Sequence, residues 1–162
     1  MILRTLCLSA TLFATGLYAD TSCPTPFNNS QAIQIAEHAM NVWFTGVEKG
    51  NAPMISALFA PQAMILHSTG APLTVNQEMA LIKGFHLGGY QFTDFCAMQN
   101  GDVIVASFAS KTFKQDVSQS GLNFLSNAKA YRMVVLQKIK GHWLIVGYAN
   151  TNPLTQNSSS HS

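Results

Sequence analysis

The sequence is poor in charged residues and has no concentrated basic stretch. Charged side chains make up 10% of the 162 residues, and no three basic residues lie together. Without Arg4, which belongs to the N-terminal stretch described below, eight Lys and Arg (nine minus one) stand against seven Asp and Glu, a net charge of +1. Nucleic acids and acidic membranes are bound by concentrated positive charge. The sequence therefore predicts no nucleic-acid partner and no attachment to an acidic membrane surface.

Motifs that hold metals, phosphates or catalytic nucleophiles are also missing. There is no H-x-x-x-H, H-E-x-x-H or C-x-x-C spacing and no G-x-S-x-G motif, and Gly88-Gly89 follows a predicted helix instead of preceding one. A metal site needs two or three converging ligands. Four histidines are expected at solvated positions, namely His38, His86, His142 and His161. We expect neither a metal nor a cofactor.

The N-terminus has the layout of a secretory signal peptide. A basic start at Arg4 precedes an apolar run over 6–17, and the small residue Ala19 follows. The run is too short to span a bilayer, and the remaining chain has no second long apolar stretch. We predict cleavage before Asp20, no membrane insertion afterwards, and an exported protein that is periplasmic or secreted.

The remaining length corresponds to one domain. Removing 19 residues from 162 leaves 143, enough to bury about two thirds of the unfolded surface in one core. The sequence contains no internal repeat and becomes polar and low in complexity near its end. We predict a signal peptide over 1–19, an N-terminal segment over 20–29, a folded domain over 30–152 and a disordered tail over 153–162.

Two of the three cysteines remain after the predicted cleavage. Cys7 leaves with the signal peptide, and Cys23 and Cys96 would then enter an oxidising compartment. We predict that they form a disulfide, which would stabilise the fold by roughly 4 kcal/mol in the chain-entropy model. The alternative is a pair of buried free thiols. A redox role is disfavoured because neither has a second cysteine close in sequence to resolve an oxidised one.

Apolar spacing of three and four residues predicts three helices in the first half of the chain. The residues Asn28-Asn29-Ser30 offer N-caps for a long amphipathic helix that stops at Gly50. Asn51-Ala-Pro53 begins a shorter helix, and Thr74-Val-Asn-Gln77 is a capping-box pattern. The predicted elements are the first helix, which ends at Gly50, the second helix over 54–59, a strand over 63–68 and the third helix, which contains Val75 to Phe85 and ends at Gly88-Gly89.

After Gly89 the period of the apolar residues changes to two, which predicts strands. Four runs rich in Val, Ile, Phe and Tyr are separated by short turns or by a polar loop over 115–127. Sequential strands joined by short turns pair antiparallel. The expected fold class is α+β, with the helices packed on one face of a curved antiparallel sheet. The predicted strands are 90–98, 103–113, 129–139 and 143–150.

Two stretches of the sequence resemble a known structural superfamily. VEKGNAPMISALFAPQAMI (47–65) is similar to the opening, and KIKGHWLIVGYANTNP (138–153) to the closing hairpin, of the SnoaL-like and ketosteroid-isomerase-like branch of the nuclear transport factor 2-like superfamily. The closing hairpin also resembles that of the association domain of calcium/calmodulin-dependent kinase. The resemblance implies a cone-shaped antiparallel sheet, a cystatin-like roll, wrapped around the long first helix with two further helices. It also implies a blind pocket for a hydrophobic ligand and a homodimer formed through the outer face of the sheet.

Within this resemblance His67 is the candidate catalytic residue. Without gaps it falls where ketosteroid isomerases carry the aspartate that moves the proton, and a neutral imidazole can act as a general base near pH 7. Trp43 falls at the position of the oxyanion-binding tyrosine, and the strand over 130–136 has no acidic residue to supply the second donor. His67 is therefore either a base or a packed residue of the pocket.

Polar and aromatic side chains near the end of the predicted sheet complete the candidate pocket. The histidines that relatives place after the closing W-L-I-V phrase are replaced here by Gly147-Tyr148-Ala149, which favours holding a ligand over transforming it. Small-ligand sites are mostly apolar with a few polar groups. The candidate ligand-binding residues are Trp43, His67, Tyr131, Tyr148 and Asn150. For each tyrosine the alternative is a half-buried strand residue whose hydroxyl lies at the rim.

Three functions from different classes are consistent with these residues. The first is an exported, non-catalytic module that binds a small apolar ligand in the cone. The second is an oligomerisation or association domain of an envelope complex. The third is an isomerase, lyase or hydrolase that uses His67 as its general base. The sequence leaves open whether the protein is an enzyme.

Overall fold

The computed structural model describes residues 23–67, 70–83, 85–113, 116–117 and 129–150. The predicted signal peptide, the predicted tail and His161 lie outside the described residues. The domain limits derived from the sequence therefore stay predictions.

Three helices and eight strands form within the described residues. In chain order they are α1 (Ser30–Glu48), α2 (Ala52–Ser56), β1 (Phe59–Leu66), β2 (Pro72–Thr74), α3 (Val75–Ile82), β3 (Phe85–His86), β4 (Gly89–Asn100), β5 (Val103–Phe113), β6 (Asp116–Val117), β7 (Lys129–Ile139) and β8 (His142–Asn150).

Six of the strands form one curved sheet with the order β2-β1-β8-β7-β5-β4. Neighbouring strands are antiparallel except β1 and β8, which run parallel. Strands β3 and β6 form a separate antiparallel pair. The expected α+β class, with helices packed on one curved sheet, is confirmed. The parallel pair of β1 and β8 is an addition that the strand spacing does not predict, because the two strands lie far apart in sequence.

Side chains cap all three helices at their first turns. The side chain of Asn29 accepts a hydrogen bond from the backbone of α1, and that of Asn51 does the same for α2. At α3, Thr74 and Gln77 form the complete capping box that the sequence predicts. These caps satisfy N–H groups that have no partner inside a helix, so the three helix starts are determined locally.

Strand β1 begins earlier, and α2 ends earlier, than the sequence predicts. The predicted second helix includes Phe59, but Phe59 pairs with Ile145 of β8 and is the first residue of β1. Pro61 is tolerated inside β1 because the pairing with β8 is interrupted at this point. The predicted end of the helix is wrong because a pairing distant in sequence outweighs a local stop signal.

Helix α3 ends at Ile82 and does not continue to Gly88-Gly89 as predicted. Phe85 and His86 instead form β3 and pair with β6. His86 therefore belongs to a strand and not to the end of a helix. The spacing does not predict the short strands β2, β3 and β6, because two or three residues carry too little periodicity to be recognised.

The core lies between α1 and the inner face of the sheet. An aromatic cluster joins the two layers: the ring centroids of Phe44 and Phe92 lie 4.9 Å apart, and Phe95 stacks on Phe108 at 4.6 Å. Removal of this apolar surface from water is the main favourable term of folding. Helix α1 contributes a row of buried residues that includes Ala32, Ala36, Ala39, Met40, Trp43, Phe44 and Val47.

The chain before α1 is fixed to β4. The sulfur atoms of Cys23 and Cys96 are bonded, with their Cα atoms 5.4 Å apart, so the predicted disulfide is present. The N–H of Ala97 donates to the carbonyl of Phe27 at 2.8 Å, and the carbonyl of Ala97 accepts from the N–H of Asn29 at 3.1 Å. A covalent bond and two backbone hydrogen bonds therefore hold the start of α1 against the sheet.

Two observations bear on the compartment. Disulfides persist in oxidising surroundings such as the periplasm or the cell exterior, and the Cys23–Cys96 bond supports such a location. Separately, none of the helices in the described part of the chain is long and apolar enough to cross a membrane.

Candidate functional site

A cavity lies between α1, α3 and the inner face of the sheet. Its volume is ≈ 80 Å³, well below the roughly 300 Å³ at which drug-sized ligand sites begin. About 10–15 Å³ of volume measured in this way suffices for one water molecule, so the cavity has room for a small solute. The lining residues are Trp43, Phe44, Val47, His67, Glu78, Leu81, Ile82, Leu87, Thr112, Arg132, Tyr148 and Asn150.

One wall of the cavity is apolar and aromatic. Trp43 is only 3% exposed, and its ring lies 4.2 Å from the ring of Tyr148 and 4.9 Å from that of Phe59, measured between centroids. Val47 and Ile82 are also buried. These contacts hold the indole in one orientation, so this wall can accommodate a short apolar group.

Arg132 contributes a positive charge to the lining of the cavity. Its Nη1 donates to the hydroxyl of Tyr148 at 2.6 Å, and its Nε donates to the hydroxyl of Ser110. The guanidinium carbon also lies 5.2 Å from the centroid of the Phe44 ring, within the range of a cation–π contact. No ion pair joins Arg132 to a carboxylate among the described residues. The arginine is held in place by neutral partners.

Glu78 contributes a buried carboxyl group from α3. It is 9% exposed, and its Oε2 has no hydrogen-bond partner in the structure. Burial raises the pKa of Glu78 to about 7, although the nearby charge of Arg132 acts in the opposite direction. Near neutral pH this group is therefore divided between its protonated and ionised forms.

His67 lies in the turn that follows β1 and is 7% exposed. Its backbone is held by the turn, because the N–H of Gly70 donates to the His67 carbonyl at 2.8 Å and the His67 N–H donates to Ala71 at 3.0 Å. Burial, and secondarily the charge of Arg132, lower the pKa of the imidazole. The neutral form therefore dominates at pH 7, and it offers one donor and one acceptor.

Tyr148 contacts both Trp43 and Arg132. It is 5% exposed, and burial raises the pKa of its phenol, with Arg132 acting in the opposite direction. The hydroxyl therefore stays protonated at neutral pH. It accepts a hydrogen bond from Arg132 and keeps its own proton as a donor.

The structure brings four of the five predicted ligand-binding residues together at the cavity, namely Trp43, His67, Tyr148 and Asn150. Tyr131 is the exception: it is 60% exposed and lies on the outer face of the sheet. Successive strand residues point to opposite faces, and Arg132 takes the inward position. The expectation that Tyr131 lines the pocket is therefore wrong, while the roles of the other four residues in binding stay predictions.

Arg132 and Glu78 are the site residues that the sequence analysis missed. A signal exists for each. Arg132 lies between the inner-face residues Ala130 and Val134 of β7, and strand alternation turns all three to the same side. Glu78 lies on the apolar side of α3, four residues before the buried Ile82. Arg132 and Glu78 are both recognisable as charged residues at positions where the apolar spacing of their strand or helix predicts a core residue.

Two further histidines, His38 and His142, do not line this cavity. His38 and His142 are exposed, as predicted, and border a separate groove of ≈ 550 Å³ between α1 and β8. The part of the chain that the structure describes contains no group of three or more His, Cys, Asp or Glu side chains placed to hold a metal ion.

Comparison by sequence does not assign the chain to a family. No family model matches it, and no curated protein matches it in sequence.

Solved structures do share its fold. An NTF2-like protein from Cytophaga hutchinsonii has a TM-score of 0.66 at 12% identity, covering 77% of this chain and 99% of that one. For a candidate calcium/calmodulin-dependent kinase II association domain from Exiguobacterium sibiricum the TM-score is 0.63 at 7% identity, covering 77% and 96%. For a ketosteroid isomerase-like protein from Erwinia carotovora atroseptica it is 0.59 at 12% identity, covering 77% and 100%. The chain therefore has the nuclear transport factor 2-like fold, and the resemblance read from the sequence is confirmed at the level of the fold.

Proposed function

We propose that the protein is an exported, non-catalytic module that binds a small molecule with an apolar body and a polar end. The supporting observation is the mixed lining of the cavity, which combines the aromatic ring of Trp43 with the polar groups of Arg132, His67 and Tyr148. This combination of an apolar lining with a few polar groups is typical of small-ligand sites. The sequence alone suggests a purely apolar ligand, and these polar groups are the reason to give that ligand a polar end.

Export is part of the proposal. It is supported by the signal-peptide pattern of residues 1–19 and by the Cys23–Cys96 bond. Intact mass spectrometry of the natural protein from the periplasm or the medium is expected to give a chain that begins at Asp20 and carries one disulfide. A cytoplasmic, full-length and reduced protein would contradict export.

Ligand binding can be tested on protein purified from its own compartment. Native mass spectrometry is expected to show a bound small molecule that is released intact on denaturation. Leu81→Trp fills the cavity and should lose the bound mass. Leu144→Trp replaces another half-buried leucine, which borders the separate groove, and this variant should keep the bound molecule. An empty wild-type protein, or equal retention by both variants, would contradict the proposal.

A second candidate function is proton-transfer catalysis with His67 as base. It is supported by the neutral, buried imidazole beside Arg132, since a general base must be unprotonated at the working pH. The neighbour from Erwinia, described as ketosteroid isomerase-like, gives it further weight. Small enolisable ketones incubated with the protein in deuterated water test it. Deuterium uptake that is lost in His67→Ala would favour catalysis, and no uptake above the buffer rate favours the binding module.

A third candidate, association into a homodimer or an envelope complex, concerns the outer face of the sheet. Leu66 and Met133 are 38% and 45% exposed and flank Ala149 in register across β1, β8 and β7. Met64 and Tyr131, 59% and 60% exposed, lie on the same face. A row of exposed apolar side chains of this kind is typical of protein contact surfaces.

The outer-face contact can be tested by sedimentation equilibrium. If the homodimer forms there, Met133→Glu should dissociate it to monomers by placing a charge in the apolar row. Met54→Glu, on α2 and away from the sheet, is the matched control and should leave the dimer intact. A wild-type monomer at micromolar concentration would exclude the homodimer.

A further inference from the structure

We propose that the cavity is a proton-linked site for a small carboxylate with a short apolar chain, in which Arg132 binds the carboxylate and Glu78 holds a proton in the complex. This inference rests on the proposed function and adds to it the class of ligand and a proton count. On binding, one ligand anion, the ionised Glu78 side chain and one proton from solution combine. In the resulting complex Glu78 is a neutral carboxylic acid. No covalent bond is made or broken.

The first argument is the unused capacity of Arg132. A guanidinium has five N–H donors, and the contacts to Ser110 and Tyr148 occupy two of them. Both partners are neutral, so they orient the group without compensating its charge. Buried or half-buried charges are normally paired, and a carboxylate matches the planar donor geometry of arginine. A ligand that supplies such a group would complete the pairing.

The second argument is the carboxyl oxygen of Glu78. Oε2 is buried at the cavity and lacks a hydrogen-bond partner, and unsatisfied buried polar atoms are rare in native proteins. In its protonated form Glu78 is a donor that needs an acceptor. A ligand carboxylate held by Arg132 would present an oxygen acceptor inside the same cavity. One ligand carboxylate would therefore pair with the charge of Arg132 and accept a hydrogen bond from protonated Glu78.

The charges around the cavity determine how binding depends on pH. Among the residues whose side chains the structure describes, the titratable groups that share the cavity with Glu78 are His67 after β1, Arg132 on β7 and Tyr148 on β8. Helix α2 and strand β2, which also pack against α3, carry no titratable side chains. At neutral pH the imidazole and the phenol are uncharged, so the cavity has a charge of +1 when Glu78 is protonated and zero when it is ionised. An entering anion is favoured in the first state only.

Size and apolarity select among anions. The volume of ≈ 80 Å³ is well below the roughly 300 Å³ at which drug-sized sites begin, which favours a short aliphatic chain over a large ligand. Chloride and phosphate would leave the wall of Trp43 and Leu81 without an apolar partner. A short aliphatic acid such as butyrate fills both ends of the cavity.

The test is isothermal titration calorimetry with butyrate and its neutral analogue butyramide. Experiments at pH 6 and pH 8, each in two buffers of different ionisation enthalpy, give the affinity and the number of protons taken up. Since Glu78 titrates at about pH 7, butyrate is expected to bind roughly tenfold more tightly at pH 6 than at pH 8. Proton uptake should be close to one per ligand at pH 8 and close to zero at pH 6.

Variants assign the effect to the two residues. Glu78→Gln should bind butyrate equally at both pH values, without proton uptake. Arg132→Lys keeps a charge and should weaken butyrate binding, whereas Arg132→Gln should abolish the preference for butyrate over butyramide. Lys129→Gln removes an exposed cation from the same strand and should behave as the wild type. Circular dichroism of each variant checks that it folds.

The outcomes separate this inference from the function on which it rests. Butyramide binding as tightly as butyrate, or butyrate binding without proton uptake at pH 8, overturns the inference and leaves a small-molecule site. Binding of neither compound, together with an empty cavity in native mass spectrometry, overturns both. Equal binding of chloride and butyrate shows a general anion site and overturns the assignment to carboxylates.

Discussion

Glu78 and His67 are buried next to the same arginine but are perturbed in opposite ways. Burial disfavours the charged form of each, which for a carboxyl group raises the pKa and for an imidazole lowers it. Both groups are therefore biased toward neutrality, and among the described residues that line the cavity Arg132 carries the persistent charge. The chemistry of the site is accordingly that of a cation beside neutral donors and acceptors.

At the scale of single residues the first prediction concerns stability and pH. The pKa of Glu78 rises from 4.5 to about 7 on folding, so the native state binds the proton more tightly. The stabilisation is complete below pH 4.5 and is lost as the pH rises through 7, a loss of roughly 3 kcal/mol. Glu78→Gln should remove this loss, so that urea unfolding shows the variant gaining stability over the wild type between pH 4.5 and pH 8.

His67 contributes with the opposite sign and can be separated from Glu78 in the same measurement. Its folded pKa lies below 6.5, so its contribution is complete above pH 6.5 and is lost as the pH falls. Glu78→Gln should therefore lose stability as the pH falls, because only the contribution of His67 changes. In the wild type the gain from protonation of Glu78 partly cancels this loss. Glu37→Gln, on the exposed side of α1, is the control. If the free energy of unfolding of Glu78→Gln depends on pH in the same way as that of the wild type, the carboxyl group of Glu78 titrates in the folded protein as it does in the unfolded chain.

At the scale of secondary-structure elements, the contact between α1 and α2 depends on a glycine. A Cβ atom added to Gly46 would lie 2.5 Å from Cγ1 of Ile55, which is fully buried. Real atoms do not approach so closely, so the Ile55 side chain or one of the two helices must move. Glycine in the middle of a helix is otherwise unfavourable by roughly 1 kcal/mol. Its presence in α1 is explained by the close approach of α2.

We therefore predict that Gly46→Ala destabilises the protein although alanine is the better helix former. Overpacking of a dense core costs about 1–3 kcal/mol, which exceeds the gain in helix propensity. Chemical unfolding of Gly46→Ala, Ile55→Ala and the double variant measures the coupling. The double variant should lose less than the sum of the single losses, because Ile55→Ala makes room for the new methyl group. Strict additivity would contradict the proposed contact.

Helix α3 is short and carries Glu78, so its N-terminal cap affects the cavity wall. The Thr74 hydroxyl accepts a hydrogen bond from the N–H of Gln77 at 3.3 Å, and the Thr74 N–H donates to the Gln77 side chain at 2.9 Å. Thr74→Ala should lower the free energy of unfolding by about 1 kcal/mol, and Thr74→Ser should retain most of it. Hydrogen exchange of α3 amides should rise in Thr74→Ala alone. An equal loss in both variants would point to the lost methyl group instead of the cap.

At the scale of the whole molecule, the disulfide closes a long loop. Cys23 and Cys96 are separated by 73 residues, and cross-linking them restricts the unfolded chain by roughly 4 kcal/mol in the chain-entropy model. The double variant Cys23→Ser/Cys96→Ser should lose about this amount in urea unfolding. Reduction of the wild type should give a similar loss and leave the variant unchanged. Because two backbone hydrogen bonds also hold the segment to Ala97, the native far-UV circular dichroism should persist in both cases.

The outer and inner faces of the sheet have separate roles in the whole molecule. Strand alternation places Arg132 toward the cavity and its neighbour Met133 toward solvent. A change on one face therefore need not disturb the other. This separation permits the cavity and the outer-face contact to be tested independently.

The sequence by itself determined the helix starts, the long strands and the disulfide partners. Caps at Asn29 and Thr74 and the alternation of β5 and β7 are local signals, readable over a few residues. Only the tertiary structure decided that Phe59 leaves a helix for a strand, that Tyr131 faces outward, and that Glu78 and Arg132 meet at one cavity. Those features depend on pairing and burial between segments distant in sequence, and the burial that shifts a pKa exists only after the chain has folded.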